Sequence, residues 1–224
     1  MTSLIVVSEA NDGVVRLTLN RPEKRNALSV AMRDEMSEAL ERLSGDQEVR
    51  VLVITGAGSA FCAGFDLSEL RAPVADNTSG GMSRADQFHQ AILRFPVPVV
   101  AAINGAALAG GFDVAVLADL RIASDTARFA HPEQAWGDVM YRPLRDLVGG
   151  SIARELVLTG RSISAQEALE CGLVSRVVPA EELAGAAGEL AATIARAPRE
   201  VLKRMKAKII AATGISEQST TLEL

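Results

Sequence analysis

The residues best suited to chemistry lie in two glycine-bearing stretches. In the longer one, Pro98–Asp119, an apolar run (Val99, Val100, Ala101, Ala102, Ile103) leads through a polar turn at Asn104-Gly105 and small residues to Gly110-Gly111. These glycines open an amphipathic helix that carries Asp113 on its first turn. A strand, a tight turn and a glycine-started helix present unpaired backbone N–H groups at a positive helix end, here beside one carboxylate. An anion binder and an acyl-transfer site both use that arrangement. The shorter stretch, AFCAGFDLSEL at 60–70, follows a short apolar strand. There Ala63, Gly64 and Phe65 can hold backbone amides toward a ligand, because small residues permit close approach, and the stretch equally fits an ordinary strand-to-helix connection.

The elements that must position these loops follow from periodicity. Residues 3–9 and 14–19 are rich in β-branched residues around Asn11-Asp12-Gly13, which predicts an opening hairpin. Met32, Met36, Leu40 and Leu43, spaced by three and four, predict a helix over 30–43 with Ser29 as its N-cap. Residues 51–55 (VLVIT) form a buried strand, 72–83 (APVADNTSGGMS) an aperiodic mobile loop of a length common in pocket lids, and 84–95 a helix leading to Pro96. Beyond Asp119, short strands at 119–124 and 127–130 end at His131-Pro132-Glu133, and 137–150 is an irregular charged segment. Helices at 151–158 and 164–171, a strand at 173–177, and two helices split at Pro198 complete the chain, with no internal repeat. Strands alternating with helices indicate βαβ units and a mainly parallel sheet.

Composition narrows the function classes. A length of 224 residues with a 48% hydrophobic share is ample for a sizeable core, and a net charge of −5 argues against a nucleic-acid surface. Cys62 and Cys171 follow no disulfide or metal spacing, which points to a reduced intracellular compartment, the cytoplasm by default. No secretory leader or membrane-length apolar run is visible, so no membrane association is expected. His89 and His131 have no second ligand at recognisable spacing, so no metal is expected. Neither a G-x-S-x-G elbow nor a G-x-G-x-x-G fingerprint occurs.

Four motifs in order, NRPEKRNALS at 20–29, AFCAGFDLSEL at 60–70, PVPVVAAINGAALAGGFDVAVLADLRIAS at 96–124 and LTGRSISAQEALECGLVSRVV at 158–178, resemble the crotonase, or enoyl-CoA hydratase/isomerase, superfamily. The resemblance implies an α/β fold, a crotonase-like spiral of repeated ββα units with a shortened C-terminal helical region. It also implies a core domain at 1–196 and a C-terminal helical segment at 197–224. It implies that the Phe65 and Gly110 N–H groups form an oxyanion hole for a CoA thioester, and that Asp113 and Glu133 are the catalytic acids. Two amides preset toward the thioester oxygen stabilise a developing enolate more than the ground state, each contributing ~3 kcal/mol. Paired carboxylates in an apolar pocket divide the acid and base roles when burial raises one pKa and the other stays ionised.

The resemblance further implies CoA contacts at Lys24, Arg25, Ala63, Asp66 and Leu67, with Lys24 and Arg25 meeting the phosphates. No bound cofactor is implied; coenzyme A enters as part of an acyl-CoA substrate, and the assembly is a homotrimer or hexamer. The expected reaction is hydration of a 2-enoyl-CoA. The alternatives are Δ3,Δ2-isomerisation by Glu133 alone, and CoA-thioester binding with little catalysis. This chain departs from the family pattern in three places: Asp113 stands where hydratases carry a glutamate, 137–149 is shortened, and the C-terminal helical stretch is shorter than usual for the family. Tyr141 stands where dehalogenases and dienoyl isomerases carry an aspartate, which sets those branches aside. Trp136 and Met140 are pocket walls or core.

Overall fold

Short apolar strands build two mainly parallel sheets, each with one antiparallel pair. The computed structural model describes residues 3–70 and 84–213. The chain begins with a hairpin, β1 (Ile5–Val7) and β2 (Val14–Leu19), in register Ile5↔Leu19 and Val7↔Leu17. Asp12 (φ 51°) and Gly13 (φ 84°) both take positive φ, as a two-residue turn matched to strand twist requires. Helix α1 (Val30–Gly45) starts as expected on Ser29, whose hydroxyl accepts from the Met32 N–H at 3.2 Å.

Three units then repeat: β3 (Val51–Gly56), β4 (Ala60–Cys62), α2 (Leu67–Leu70) and α3 (Arg84–Leu93); β5 (Val99–Ile103), β6 (Ala106–Leu108) and α4 (Gly110–Leu117); β7 (Leu120–Ser124), β8 (Arg128–Ala130) and α5 (Arg142–Thr159). Next come β9 (Ile163–Ser164), α6 (Ala165–Glu170), β10 (Val177–Val178), α7 (Leu183–Ala195) and α8 (Arg199–Thr213). The first strand of each unit joins the six-stranded sheet β1-β2-β3-β5-β7-β10, and the second joins the four-stranded sheet β4-β6-β8-β9. The result is the expected spiral of ββα units. Its repeat lies in the backbone, which is why no repeat is legible in the side chains.

Side-chain alternation explains the layers. From β3 and β5, Leu52, Ile54, Val99, Ala101 and Ile103 enter the main core, while Val51, Val53, Val100 and Ala102 meet Ala187, Ala191 and Ala195 of α7 on the other face. A parallel sheet covered on both faces reads as a continuous apolar run, as β5 does. Helix α8 is tied down by Lys206, whose ammonium lies 2.8 Å from Asp119, and by Arg199, which donates to the Val49 and Ser44 carbonyls.

The structure corrects several expectations. Helix α4 is not amphipathic: every residue from Gly110 to Leu117 is buried, because α3, α5, β4 and β6 pack around it. Strands β4, β6 and β9, of three, three and two residues, are too short to leave a period and were not anticipated. The segment 137–150 is not irregular throughout, since α5 runs from Arg142 with Pro143 in its first turn and breaks only at Gly149 (φ 76°, ψ 164°). The strand expected at 173–177 shrinks to Val177–Val178. The loop expected at 72–83 and residues 214–224 lie outside the described residues. Among the described residues no helix is long and apolar enough to cross a membrane, and no group of three or more His, Cys, Asp or Glu forms a metal cluster.

Two asparagines lock the corner between β3 and β4. The buried Asn26 amide donates to the Ala57, Ala60 and Phe61 carbonyls and its Oδ1 accepts from the Arg21 N–H, while Asn104 bridges the Gly56 N–H to the Gly58 and Ala60 carbonyls. Losing the Asn26 side chain strands buried carbonyls, each costing about 1–3 kcal/mol unless another donor serves it. Asn26→Ala is therefore expected to lower the unfolding free energy by about 3 kcal/mol. Urea denaturation measures it, and a loss below ~1 kcal/mol would remove Asn26 from this role.

Candidate active site

The first loop is pinned through its backbone. The Ala63 N–H donates to Arg25 O at 3.0 Å, Leu28 N–H to Gly64 O at 2.8 Å and Asp66 N–H to Leu28 O at 3.2 Å. Below it, Asp66 receives the Arg21 guanidinium at 2.6 Å and both the hydroxyl and N–H of Ser68. Hydrogen bonds from Ser68 and Arg21 hold its carboxyl down at about 2. The Asp66 side chain is thus engaged in holding the loop.

The loop meets the start of α4 with no room to spare. A Cβ on Gly64 (φ 91°) would stand 2.7 Å from Ala109 Cβ and 3.3 Å from Gly110 N, and one on Gly111 would stand 2.3 Å from Cys62 O. The Phe65 ring covers Gly110, and the Arg33 guanidinium stacks over that ring at 4.8 Å. Ala109 adopts φ 51°, ψ −131°, a backbone region costing a non-glycine residue about 1–3 kcal/mol. It is held there by bonds on both sides: its N–H donates to Ala130 O at 2.9 Å, and its carbonyl accepts from the Phe112 and Asp113 N–H groups. Among the described residues, the Phe65 and Gly110 N–H groups donate to no backbone carbonyl. Two adjoining segments therefore present donors unspent on the fold.

Asp113 lies one turn below, fully buried, with no hydrogen-bond partner for either carboxylate oxygen among the described residues. Burial pushes its carboxyl up to about 7; the nearby Glu133 charge adds to the rise and His131 opposes it. The Ala109–Ala130 hydrogen bond sets the end of β8 beside the start of α4, and the residue after Ala130 is His131. The buried imidazole stands between the two acids: Nδ1 is 2.8 Å from Glu133 Oε1 and Nε2 is 3.9 Å from Asp113 Oδ1. Glu133 itself sits on a single 3-10 turn, Pro132–Ala135, with its side chain 14% exposed and Oε2 unpartnered among the described residues. Nearby Cys62 donates to Asn26 O, and burial pushes its thiol up to about 12, so it stays neutral.

The structure thus brings Asp113 and Glu133 to one imidazole and sets Phe65 against Gly110. Lys24 and Arg25 are exposed on the turn after β2, linked to the first loop by the Arg25–Ala63 bond, and Leu67 is exposed at the start of α2. Met140 is core, Trp136 is 63% exposed, and Tyr141 packs half-buried against the core before α5. Metal-ligand spacing in the sequence does not single out His131, which the structure sets between the two acids. The signal available was its place two residues before Glu133, at the end of a strand.

Comparison with known proteins bears on the family and the fold. The family model described as enoyl-CoA hydratase/isomerase matches residues 9–224. A carnitinyl-CoA dehydratase from Proteus mirabilis is 42% identical over 192 residues, 81% of this chain and 71% of that protein. The crystal structure of an enoyl-CoA hydratase from Bacillus anthracis superposes with a TM-score of 0.89 at 34% identity, covering 97% of this chain and 86% of the other. One from Mycobacterium smegmatis gives 0.87 at 35% identity, covering 98% and 87%. With a family model spanning nearly its whole length and the same fold in enzymes a third identical to it, the chain belongs to the enoyl-CoA hydratase/isomerase family.

Proposed function

We propose that this protein adds water across the double bond of a 2-enoyl-CoA thioester, and catalyses the reverse dehydration through the same transition state. The observation that carries this reading is the convergence of two carboxylates, Asp113 and Glu133, on a single buried imidazole beside the Phe65 and Gly110 loops. In this reading the thioester oxygen accepts from the Phe65 and Gly110 N–H groups. Water gives one proton to Glu133 as its oxygen bonds to C3, and the C2=C3 electron pair moves onto the thioester oxygen as an enolate. The enolate collapses, and C2 takes the proton back from Glu133. Water's hydrogens end on C2 and on the new hydroxyl, and Glu133 is restored.

Asp113 orients the water. A carboxyl poised at about 7 is half protonated near neutral pH, so it serves as donor or acceptor to that water. Its shorter side chain sets it one methylene farther back than a glutamate. Exposed Lys24 and Arg25, beside the first loop of an acidic protein, support a phosphate contact for the CoA end. The trimeric or hexameric assembly belongs to the same proposal. One observation favours the isomerase alternative: the raised Asp113 pKa withdraws Asp113 as an ionised base below neutral pH, which isomerisation by Glu133 alone tolerates.

Following the conjugated-thioester absorbance with crotonyl-CoA and with a 3-enoyl-CoA separates hydration from isomerisation. Turnover of neither, alongside acyl-CoA binding, would leave only a binding protein. Glu133→Gln is expected to lower turnover by ~10²–10⁴-fold while affinity for saturated butyryl-CoA stays within ~3-fold. Asp113→Asn is expected to abolish hydration; if it leaves hydration intact, Asp113 has no part in orienting water.

The same substitution has a stability signature. The folded-state pKa of Asp113 lies above its unfolded value, so the folded state holds the proton longer. The Asp113 contribution to wild-type stability is then greatest below about pH 4, declines as pH rises toward about 7, and is flat beyond. Relative to wild type, Asp113→Asn is expected to gain stability over that window, by about 1.4 kcal/mol per unit of displacement, in melts at pH 4 and pH 8.

A further inference from the structure

We propose that His131 is a positioning residue: through Nδ1 it fixes the Glu133 carboxylate, and through Nε2 it links that carboxylate to Asp113, so that the two acids act as one unit. The inference rests on the hydration reading above and adds to it a side chain that acts through others.

The geometry sets the tautomer. Glu133 Oε1, 2.8 Å from Nδ1, accepts, so Nδ1 carries a hydrogen. Nε2 then faces Asp113 Oδ1 across 3.9 Å either with a lone pair or with a second hydrogen. A neutral ring suits a protonated Asp113, and a charged ring suits an ionised one. These are the two placements of a single proton on either side of one gap. The ring cannot turn away, because it is buried and stacked on Phe112 with centroids 4.6 Å apart and planes inclined by 29°. With Oε1 engaged, Oε2 of Glu133, buried and without a partner among the described residues, is the oxygen left to exchange a proton with substrate.

Each titratable group around the ring has a defined place. Glu133 faces it from its own 3-10 turn and Asp113 from α4, and the neutral Cys62 thiol of β4 stands by Asp113. Burial works to lower His131, and the Glu133 hydrogen bond together with the charges of Asp113 and Glu133 outweighs it, leaving the imidazole above its ordinary value. An imidazole placed in this way joins two acids that share no hydrogen bond.

Three substitutions and one titration test this. Asparagine sets its amide nitrogen near the place of Nδ1, so His131→Asn keeps a donor for Glu133 and removes the titrating ring; His131→Leu removes both. With crotonyl-CoA, His131→Leu is expected to lower kcat by ~10²-fold with KM within ~3-fold. His131→Asn is expected to recover most of that loss and to change the pH profile of kcat. Wild-type kcat in His131→Leu, or equal loss in both variants with an unchanged pH profile, would overturn the proposal.

The titration needs no turnover. The chain has two histidines, so an NMR pH titration with labelled histidine resolves His131, assigned by its absence in His131→Asn. Asp113→Asn is expected to lower the His131 midpoint by roughly half a unit or more. An unmoved midpoint overturns the coupling. If wild type turns over neither thioester, the hydration reading fails by itself, and the titration still decides whether the two acids are joined through His131.

Discussion

Asp113 is a carboxylate inside the protein, on a helix buried along its whole length, with no hydrogen bond to either oxygen among the described residues. An ionised carboxylate there lacks the solvation that water would supply, and an uncompensated buried charge is among the most destabilising features a fold can contain. The protein accommodates it by letting the group keep its proton to about 7 and by setting an imidazole, rather than another acid, at its side. Two unit charges 4 Å apart interact by roughly 4 kcal/mol at an effective dielectric near 20, so the His131 ring is well placed to decide where the proton resides.

That arrangement depends on backbone contacts some distance from the acids. Gly111 passes so close to Cys62 O that any side chain would collide, and Gly64 closes against Ala109 in the same way. Ala109 carries the strain at the join, and its bond to Ala130 ties the start of α4 to the end of β8. The small sheet therefore does more than bury residues. Its parallel register, Ala106↔Arg128 through Leu108↔Ala130, sets Asp113 and His131 side by side although eighteen positions of sequence separate them.

The outer parts of the site are held differently. Asp66 spends its charge on Arg21 and Ser68, and the buried Asn26 satisfies three carbonyls at the corner beneath the first loop. Lys24 and Arg25 keep their side chains on the surface while the Arg25 carbonyl holds Ala63. The loop backbone is held by hydrogen bonds, and the charged side chains beside it, Lys24 and Arg25, are exposed.

The sequence by itself determined the elements whose period is long enough to read and the loops whose glycines mark them: the hairpin about Asp12-Gly13, α1 on Ser29, β3, β5, and the helix opened at Gly110. By motif it also singled out Asp113, Glu133, Phe65 and Gly110 as candidates. Strands of two or three residues leave no period, so the second sheet, and with it the structural repeat, emerged only in three dimensions. Helix α4 read as amphipathic because one carboxylate broke its apolar run; only the packing of α3, α5, β4 and β6 around it shows that carboxylate to be interior. The role of His131 is likewise tertiary. Nothing in His-Pro-Glu states that the ring turns inward to meet a residue of another unit, because that contact is set by the register between β6 and β8, a relation between distant backbones that no local spacing records.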